Sequence, residues 1–459
     1  MTPPEAQPAG REAPGDGRRG RGHDCSPSRI VRMNLLDALY LPAAALSAPW
    51  WARKTRSGWS QRFGHIGRLP APCAGTKRIL LHAVSVGEVN TLRGLVPMLR
   101  SGGAEVVVSA GTDTGLARAQ SLFSSLDGVH VVRYALDFSP AVRRFLDAVR
   151  PDAVALVELE VWPNFVRACA ARNIPVGVIN GRLSARSFRG YSRFRRFFAS
   201  TFGSLAFAAV QDEDYAQRFL AMGVPADRVH VTGSMKWDAA AIVEPGHPVE
   251  GAEALARAMG IDPSRPLIVG GSTAPIDGGT DPCEEALLDR ACPPDVQLLC
   301  APRKPEHFDT AFSAMGGPAR CTRRSSGLRA APGTSRFLLD TIGELRAAYA
   351  LADVVVIGRT FGELGGSDPI EPISLSRAVV IGPRYTNFQS VVAEFAAANA
   401  IVECTPSDLP AVLRDLLADK PRRDALITRG LGCIRAHQGA THRHADMLLA
   451  LAGSSPNRP

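Results

Sequence analysis

Three carboxylates stand out because each follows an apolar run that ends abruptly. Glu88 lies in "HAVSVGEV" (82–89), directly behind Gly87, and Glu158 and Glu160 lie in "VELEVWPN" (157–164), just before Trp162 and Pro163. A helix amino terminus after a strand would stabilise the ionised form of Glu88. Residues two apart on a strand share a face, so Glu158 and Glu160 are expected to look the same way. Carboxylates so placed can divide the labour of proton transfer, one accepting a proton while another orients the acceptor or holds its neighbour's proton. The plainer alternative is a helix cap at Glu88 and ion pairs at the other two. Two such clusters at successive strand ends favour chemistry. His82, at the end of the first strand, reads as a hydrogen-bonded structural residue, with ligand contact the alternative.

Cations form the second set. In "NGRLSARSFRGYSRFRRF" (180–197), Arg182, Arg186, Arg189, Arg193 and Arg196 recur at the spacing of one helix face, if the segment is helical. Gly181 and Gly190 count against one continuous helix. A face of unbalanced positive charge suits a phosphorylated partner or an anionic membrane, the alternative being a solvated surface. Arg303 and Lys304 in "APRKPEHF" (301–308) stand at another strand end, where they could neutralise a departing phosphate. Ser272 and Thr273 in "GSTAP" (271–275) offer hydroxyls. In "GRTFGELGGSDPIEP" (358–372), Gly365 and Gly366 present backbone N–H groups near an expected helix start, a cradle for phosphate. Glu371 then falls on the first turn of that helix, placed to accept hydrogen bonds from ribose hydroxyls. The lack of a Walker A sequence and of a GxGxxG after the first strand argues against a nucleotide hydrolase or a dinucleotide oxidoreductase, and no DxD-type metal pair lies near the cleft motifs, so neither a cofactor nor a metal ion is expected. Carboxylate and cation carry the chemistry.

The elements that must position these residues are legible as alternating strand and helix patterns. A chain of 459 residues calls for two domains. From residue 78, seven apolar runs ("RILLHAVSV", "EVVVSAGT", "VHVVRYA", "AVALVELEV", "PVGVIN", "LAFAAVQD", "RVHVTG") alternate with helix-compatible segments; from Pro266, a second series reads "LIVGGST", "VQLLCAPR", "FLLD", "DVVVIG" and "AVVIGP". That alternation predicts parallel sheets wrapped by helices, with ligands at the carboxyl ends of the strands in a cleft between the domains. Residues 313–335, "SAMGGPARCTRRSSGLRAAPGTS", read as a basic loop without assigned chemistry. The expected division is a disordered tail over 1–32, a membrane-surface anchor over 33–57, a first domain over 58–245, a second over 246–450 and a short tail over 451–459. The anchor rests on "LLDALYLPAAALSAPWW" (35–51), too short and too interrupted by Asp37, Pro42 and Pro49 to span a bilayer, yet flanked by arginines and ending in two tryptophans. Its alternative is a helix packed on the domain. Net charge +9 favours anionic partners, and nine scattered cysteines without CxxC indicate neither a zinc site nor a disulfide framework.

In order, and over nearly all of residues 33–450, these motifs resemble the bacterial 3-deoxy-D-manno-octulosonic acid (Kdo) transferases, which attach Kdo from CMP-Kdo to the lipid A precursor. The stretches that carry the resemblance are "HAVSVGEV", "VELEVWPN", "NGRLSARSFRGY", "VTGSMKWD", "PRKPEHF", "DTIGEL" and "GGSDPIEP" with "GPRYTNF". The resemblance implies a GT-B fold of two Rossmann-like domains, acceptor in the first and CMP-sugar mainly in the second. It implies Glu88 as catalytic base, inversion at the anomeric carbon, and Glu160 as the second important carboxylate, with Glu158 in the same cluster. On the acceptor side it points to Ser85, Gly87, Arg182, Arg186 and Arg189. On the donor side it implies Arg303 on the CMP phosphate, with Lys304, Ser272 and Thr273 nearby, backbone contacts from Gly365 and Gly366, Glu371 on the ribose, Ile342 and Gly343 of the "DTIGEL" turn against the nucleotide, and Asn387 in the cleft. Expected partners are CMP-Kdo, a phosphorylated lipid A precursor and an anionic membrane surface, with no nucleic acid; the expected location is the cytoplasmic face of the inner membrane. Three departures fall in the donor half: Ala274-Pro275 where the family has His-Glu, Lys304 where it has His, and Ser367-Asp368 where it has His-Asn. They leave open a transferase for another nucleotide sugar, or a non-catalytic nucleotide-binding or lipid-binding remnant.

Overall fold

The computed structural model describes residues 37–38, 57–278 and 281–454. The expected tails and most of the expected anchor lie outside the described residues. Within the anchor stretch Asp37 is buried, and its carboxylate accepts hydrogen bonds from Ser139 N (2.9 Å) and Asn164 Nδ2 (3.1 Å), so at this position the stretch is packed against the first domain.

All seven apolar runs of the first half form strands: β1 (Arg78–Ala83), β2 (Glu105–Ala110), β3 (Val129–Arg133), β4 (Ala153–Val157), β5 (Val176–Gly181), β6 (Phe207–Val210) and β7 (Val229–Val231). They pair in the order β3-β2-β1-β4-β5-β6-β7. The second half supplies β8 (Leu267–Thr273), β9 (Gln297–Pro302), β10 (Cys321–Arg323), β11 (Arg336–Leu338), β12 (Val354–Ile357), β13 (Ala378–Ile381) and β14 (Val402–Glu403), ordered β10-β11-β9-β8-β12-β13-β14. The strand pairings in both sheets are parallel, and helices cover both faces. This explains why the central strands read as continuous apolar runs: alternate residues face different cores, Leu80, Val154 and Leu156 on one side and Ile79, Leu81, Ala153 and Ala155 on the other.

Two expectations need correction. Residues 313–335 are not all loop: Cys321–Arg323 form β10 at the sheet edge, too short to give a hydrophobic period. The domain division also fails at the C-terminus. Helix Lys420–His437 packs on the second domain through Cys433 and Ile434, but helix Ala440–Gly453 crosses back and buries Ala440, Ala445, Leu448 and Ala452 against the core of β1, β2 and β4. Asp238 fixes this return, accepting hydrogen bonds from Gly439 N (2.6 Å) and Thr441 N (2.5 Å). Among the described residues no helix is long and apolar enough to cross a membrane.

Candidate active site

In each sheet the strand order reverses once near the middle, between β1 and β4 and between β8 and β12. At such a switch point the flanking loops diverge and leave a crevice beyond the carboxyl ends of the strands. The predicted residues gather at these two crevices.

After β1 the chain turns at Ser85, which caps helix Val86–Ser101 and forms a capping box with Glu88. The Glu88 carboxylate accepts hydrogen bonds from Val84 N (2.8 Å), Ser85 Oγ (2.7 Å) and Ser85 N (3.3 Å). Capping therefore does not withdraw the carboxylate: the cap holds it at the crevice. Ser85 is taken up in this box and Gly87 is exposed on the turn. His82 lies beneath, fully buried, its Nδ1 3.1 Å from Ser109 Oγ and its ring stacked on Tyr134 at 3.5 Å. Burial lowers its pKa to about 3, so it is neutral and structural.

Glu158 and Glu160 do not share a strand face, since β4 ends at Val157. Glu158 has φ +58, a strained conformation for a residue with a side chain, and it swings the chain out of the sheet. Both carboxylates still reach the crevice. Burial, then the charge of Glu88, raises the pKa of Glu158, against Lys236 and Arg182. Burial raises that of Glu160 to about 7, helped by Glu88 and Glu158 and opposed by the indole N–H of Trp162, which donates to Oε2 at 2.8 Å. Near neutral pH Glu160 is therefore divided between its protonated and ionised forms.

The arginines do not form one stripe. The segment breaks at Arg193-Phe194 into helices Ala185–Ser192 and Arg195–Gly203. Arg182 precedes both; it is half-buried, with Nε 3.3 Å from the Tyr215 hydroxyl. Arg186 and Arg189 are exposed on the first helix, while Arg193 and Arg196 fall beyond it.

The second crevice also shows a strained turn, with Ser272 at φ +59 where β8 ends. The two hydroxyls expected to meet a ligand point elsewhere. Ser272 shares a hydrogen bond with the buried Tyr349 hydroxyl, and Thr273 Oγ1 donates to Glu285 Oε1 at 2.5 Å. Arg303 is exposed and forms no ion pair among the described residues, whereas Lys304 pairs with Glu306 at 3.1 Å. Gly365 and Gly366 have φ +77 and +85, and a Cβ on Gly365 would lie 2.5 Å from Asn387 Nδ2. Glycine is therefore required, but not as a bare N–H cradle, because Gly366 N donates to Arg359 O (2.8 Å). The loop is instead clasped by Asn387, whose N donates to Gly365 O (2.9 Å) and Nδ2 to Leu364 O (3.3 Å). Glu371 lies on the short helix Ile370–Ser374; burial raises its pKa, with Arg346 3.9 Å away opposing. Asp368, exposed at its loop position, accepts from Ile370 N (2.9 Å), and the loss of solvent around its carboxylate raises its pKa, against that bond and Lys236. Ile342 is 79% exposed on its turn beside Gly343 (φ +98).

Three features carried no assignment from the sequence. Lys236, on the connection after β7, lies 5.9 Å from the centre of the Phe388 ring in the second domain, and its charge is felt by Glu158 on one side and Asp368 on the other. It is thus a cation placed between the two crevices. Buried Glu284 gathers four backbone donors, Ala274 N (3.0 Å), Arg359 N (2.6 Å), Thr360 N (2.9 Å) and Phe361 N (3.1 Å), and so ties the loop after β8 to that after β12. The basic segment after β10 is a latch: Arg323 Nε and Ser325 N each bind Asp340 at 2.8 Å, and Arg324 Nη2 binds Glu344 at 3.0 Å, fixing the "DTIGEL" turn. The first two gave little local signal; the third was visible only as charge. Among the described residues no group of three or more His, Cys, Asp or Glu side chains is arranged to hold a metal ion.

Comparison with known proteins agrees with this geometry. Residues 57–239 match the family described as 3-deoxy-D-manno-octulosonic-acid transferase (kdotransferase). The chain is 33% identical to the 3-deoxy-D-manno-octulosonic acid transferase of Bordetella pertussis over 87% of its own length and 94% of the relative's. It is 28% identical to that of Haemophilus influenzae, over 86% and 91%. The UDP-GlcNAc 2-epimerase of Neisseria meningitidis superposes with a TM-score of 0.54 over 81% of this chain and 100% of that one at 15% identity, a likeness of fold alone. Two Rossmann-like sheets facing a cleft make this the GT-B arrangement.

Proposed function

The chain belongs to the 3-deoxy-D-manno-octulosonic acid (Kdo) transferase family, and from that premise we propose that it transfers Kdo from CMP-Kdo to a phosphorylated lipid A precursor, lipid IVA, in lipopolysaccharide core biosynthesis. The observation that carries this reading is the convergence of Glu88, Glu158 and Glu160 at the first switch point, with one member titrating near neutrality. In the proposed step the acceptor hydroxyl oxygen bonds to the anomeric carbon of Kdo as its proton passes to Glu88. The bond from that carbon to the phosphate oxygen breaks on the opposite face, and CMP leaves with the electron pair beside Arg303. The configuration inverts, and no metal ion is required. Arg182, Arg186 and Arg189 flank the acceptor, while Glu371 and the Gly365-Gly366 loop serve the nucleotide. Exposed Phe194 and Phe197 beside Arg193, Arg195 and Arg196 support a peripheral seat on an anionic membrane, checked by sedimentation with anionic against neutral vesicles.

The test is incubation with lipid IVA and CMP-Kdo generated in place, with added Kdo read by mass spectrometry. Wild type should add at least one Kdo, also in the presence of chelator. Glu88→Ala should lose on the order of 10²–10⁴-fold in rate while still binding CMP. Unchanged turnover in Glu88→Ala removes the base assignment. One observation favours a second reading, a different nucleotide sugar: Asp368 adds a carboxylate next to Glu371, so the donor meets more negative charge here than with the family's Asn. A donor screen separates the two, since turnover with another nucleotide sugar and none with CMP-Kdo selects the second.

A further inference from the structure

Trp162 is 43% exposed, an unusual position for the largest apolar side chain, and it is not loose. Its backbone caps helix Pro163–Ala170, accepting from Val166 N at 3.0 Å, and Pro163 follows at the first helical position. Its indole N–H is fixed on Glu160 Oε2 at 2.8 Å. An aromatic residue held at its backbone and by its indole N–H, and 43% exposed next to a carboxylate cluster, loses little entropy when it takes a ligand. Burial, and then the charge of Glu160, raises the pKa of Tyr191 on helix Ala185–Ser192, the helix that also bears exposed Arg186 and Arg189. An exposed indole whose edge is bound to a carboxylate of the cluster fits a sugar ring whose reactive hydroxyl must be delivered to that cluster.

We propose that Trp162 is the platform on which a pyranose ring of the acceptor stacks, holding the attacking hydroxyl at the carboxylate cluster. The assignment rests on the transferase reading but is not contained in it. The C–H groups on one face of a pyranose pack on the negatively charged face of the indole ring, while the indole edge stays engaged with Glu160. One residue thereby couples acceptor position to the orientation of a catalytic carboxylate, so a misplaced sugar is also one that meets a misdirected group.

Two variants separate the ring from the N–H. Trp162→Ala should raise the acceptor KM by about tenfold and weaken binding of lipid IVA in detergent micelles, measured by calorimetry without donor, to the same degree; the KM for CMP-Kdo should stay within about twofold. Trp162→Phe keeps a ring and loses the donor to Glu160, so acceptor binding should stay within about threefold of wild type. Its pH–rate profile should move to higher pH, because Glu160 then faces only Glu88, Glu158 and Tyr191 without the N–H that favours its ionised form. The platform is overturned if Trp162→Ala binds lipid IVA as wild type does, or if both variants lose acceptor binding equally. Loss of binding in Trp162→Ala from a wild type that binds lipid IVA but transfers no Kdo would retain the platform and remove the transferase reading. A wild type that binds no lipid IVA overturns both.

Discussion

Glu160 carries a pH signature that stability measurements can read. Burial and the charges of Glu88 and Glu158 place its pKa at about 7 in the folded protein, against 4.5 ordinarily. Between these values the unfolded chain has released a proton that the folded chain keeps, so stability falls as pH rises through the window, and the cost is complete above it. Glu160→Gln, which cannot ionise, should therefore exceed wild type in unfolding free energy by roughly 1–3 kcal/mol at about pH 8, with the gap closing towards pH 4.5. Chemical denaturation at both ends of the range checks this; an equal gap at both would assign the effect to packing. That Glu88 and Glu160 would lie at one crevice was legible in the sequence because each follows a strand at the carboxyl edge of the sheet. Thr273 was misjudged for a tertiary reason: its partner Glu285 comes into reach only when the helix after β8 folds back on the strand. Lys236 gave no signal, since nothing in "SMKWD" shows that this lysine will stand between two domains.

At the scale of elements, the donor half is organised by clasps between loops rather than by the loops themselves. Glu284 joins the loops after β8 and β12, Asn387 ties the second of these to the loop after β13, and the Arg323–Asp340 contact holds the turn that presents Ile342. If that turn meets the nucleotide, Arg323→Ala should raise the donor KM by about 5- to 20-fold and change kcat by less than about twofold. Arg323→Lys should restore only part, because a lysine cannot match the fork that binds Asp340 and Asp309 together. Steady-state kinetics at varied CMP-Kdo decides it, and equal KM values would detach the turn from the donor. The strands of the first sheet were readable because parallel strands covered on both faces are continuous apolar runs. β10 and β14, three and two residues long, have no period to read, and the latch was hidden with them.

Over the whole molecule, the decisive feature is the return of helix Ala440–Gly453 to the first domain. Leu448 is fully buried there, so Leu448→Ala should cost about 2–5 kcal/mol, with exchange protection lost in β1 and β2 and retained in β8 and β9. Hydrogen exchange by mass spectrometry resolves the two sheets, and uniform loss across both would show that they unfold as one. The sequence places this helix after the second domain, and its apolar spacing is ordinary; only the turn at Gln438-Gly439, pinned by Asp238, sends it back. Domains made first on the ribosome usually fold first. Here one face of the first sheet is covered only in part by its own helices, and the rest of the cover is a helix that follows the second domain in the chain. The nascent protein must carry that apolar surface through synthesis of the entire second domain, which makes the arrival of helix Ala440–Gly453, not the completion of the first half, the event that ends its exposure to aggregation.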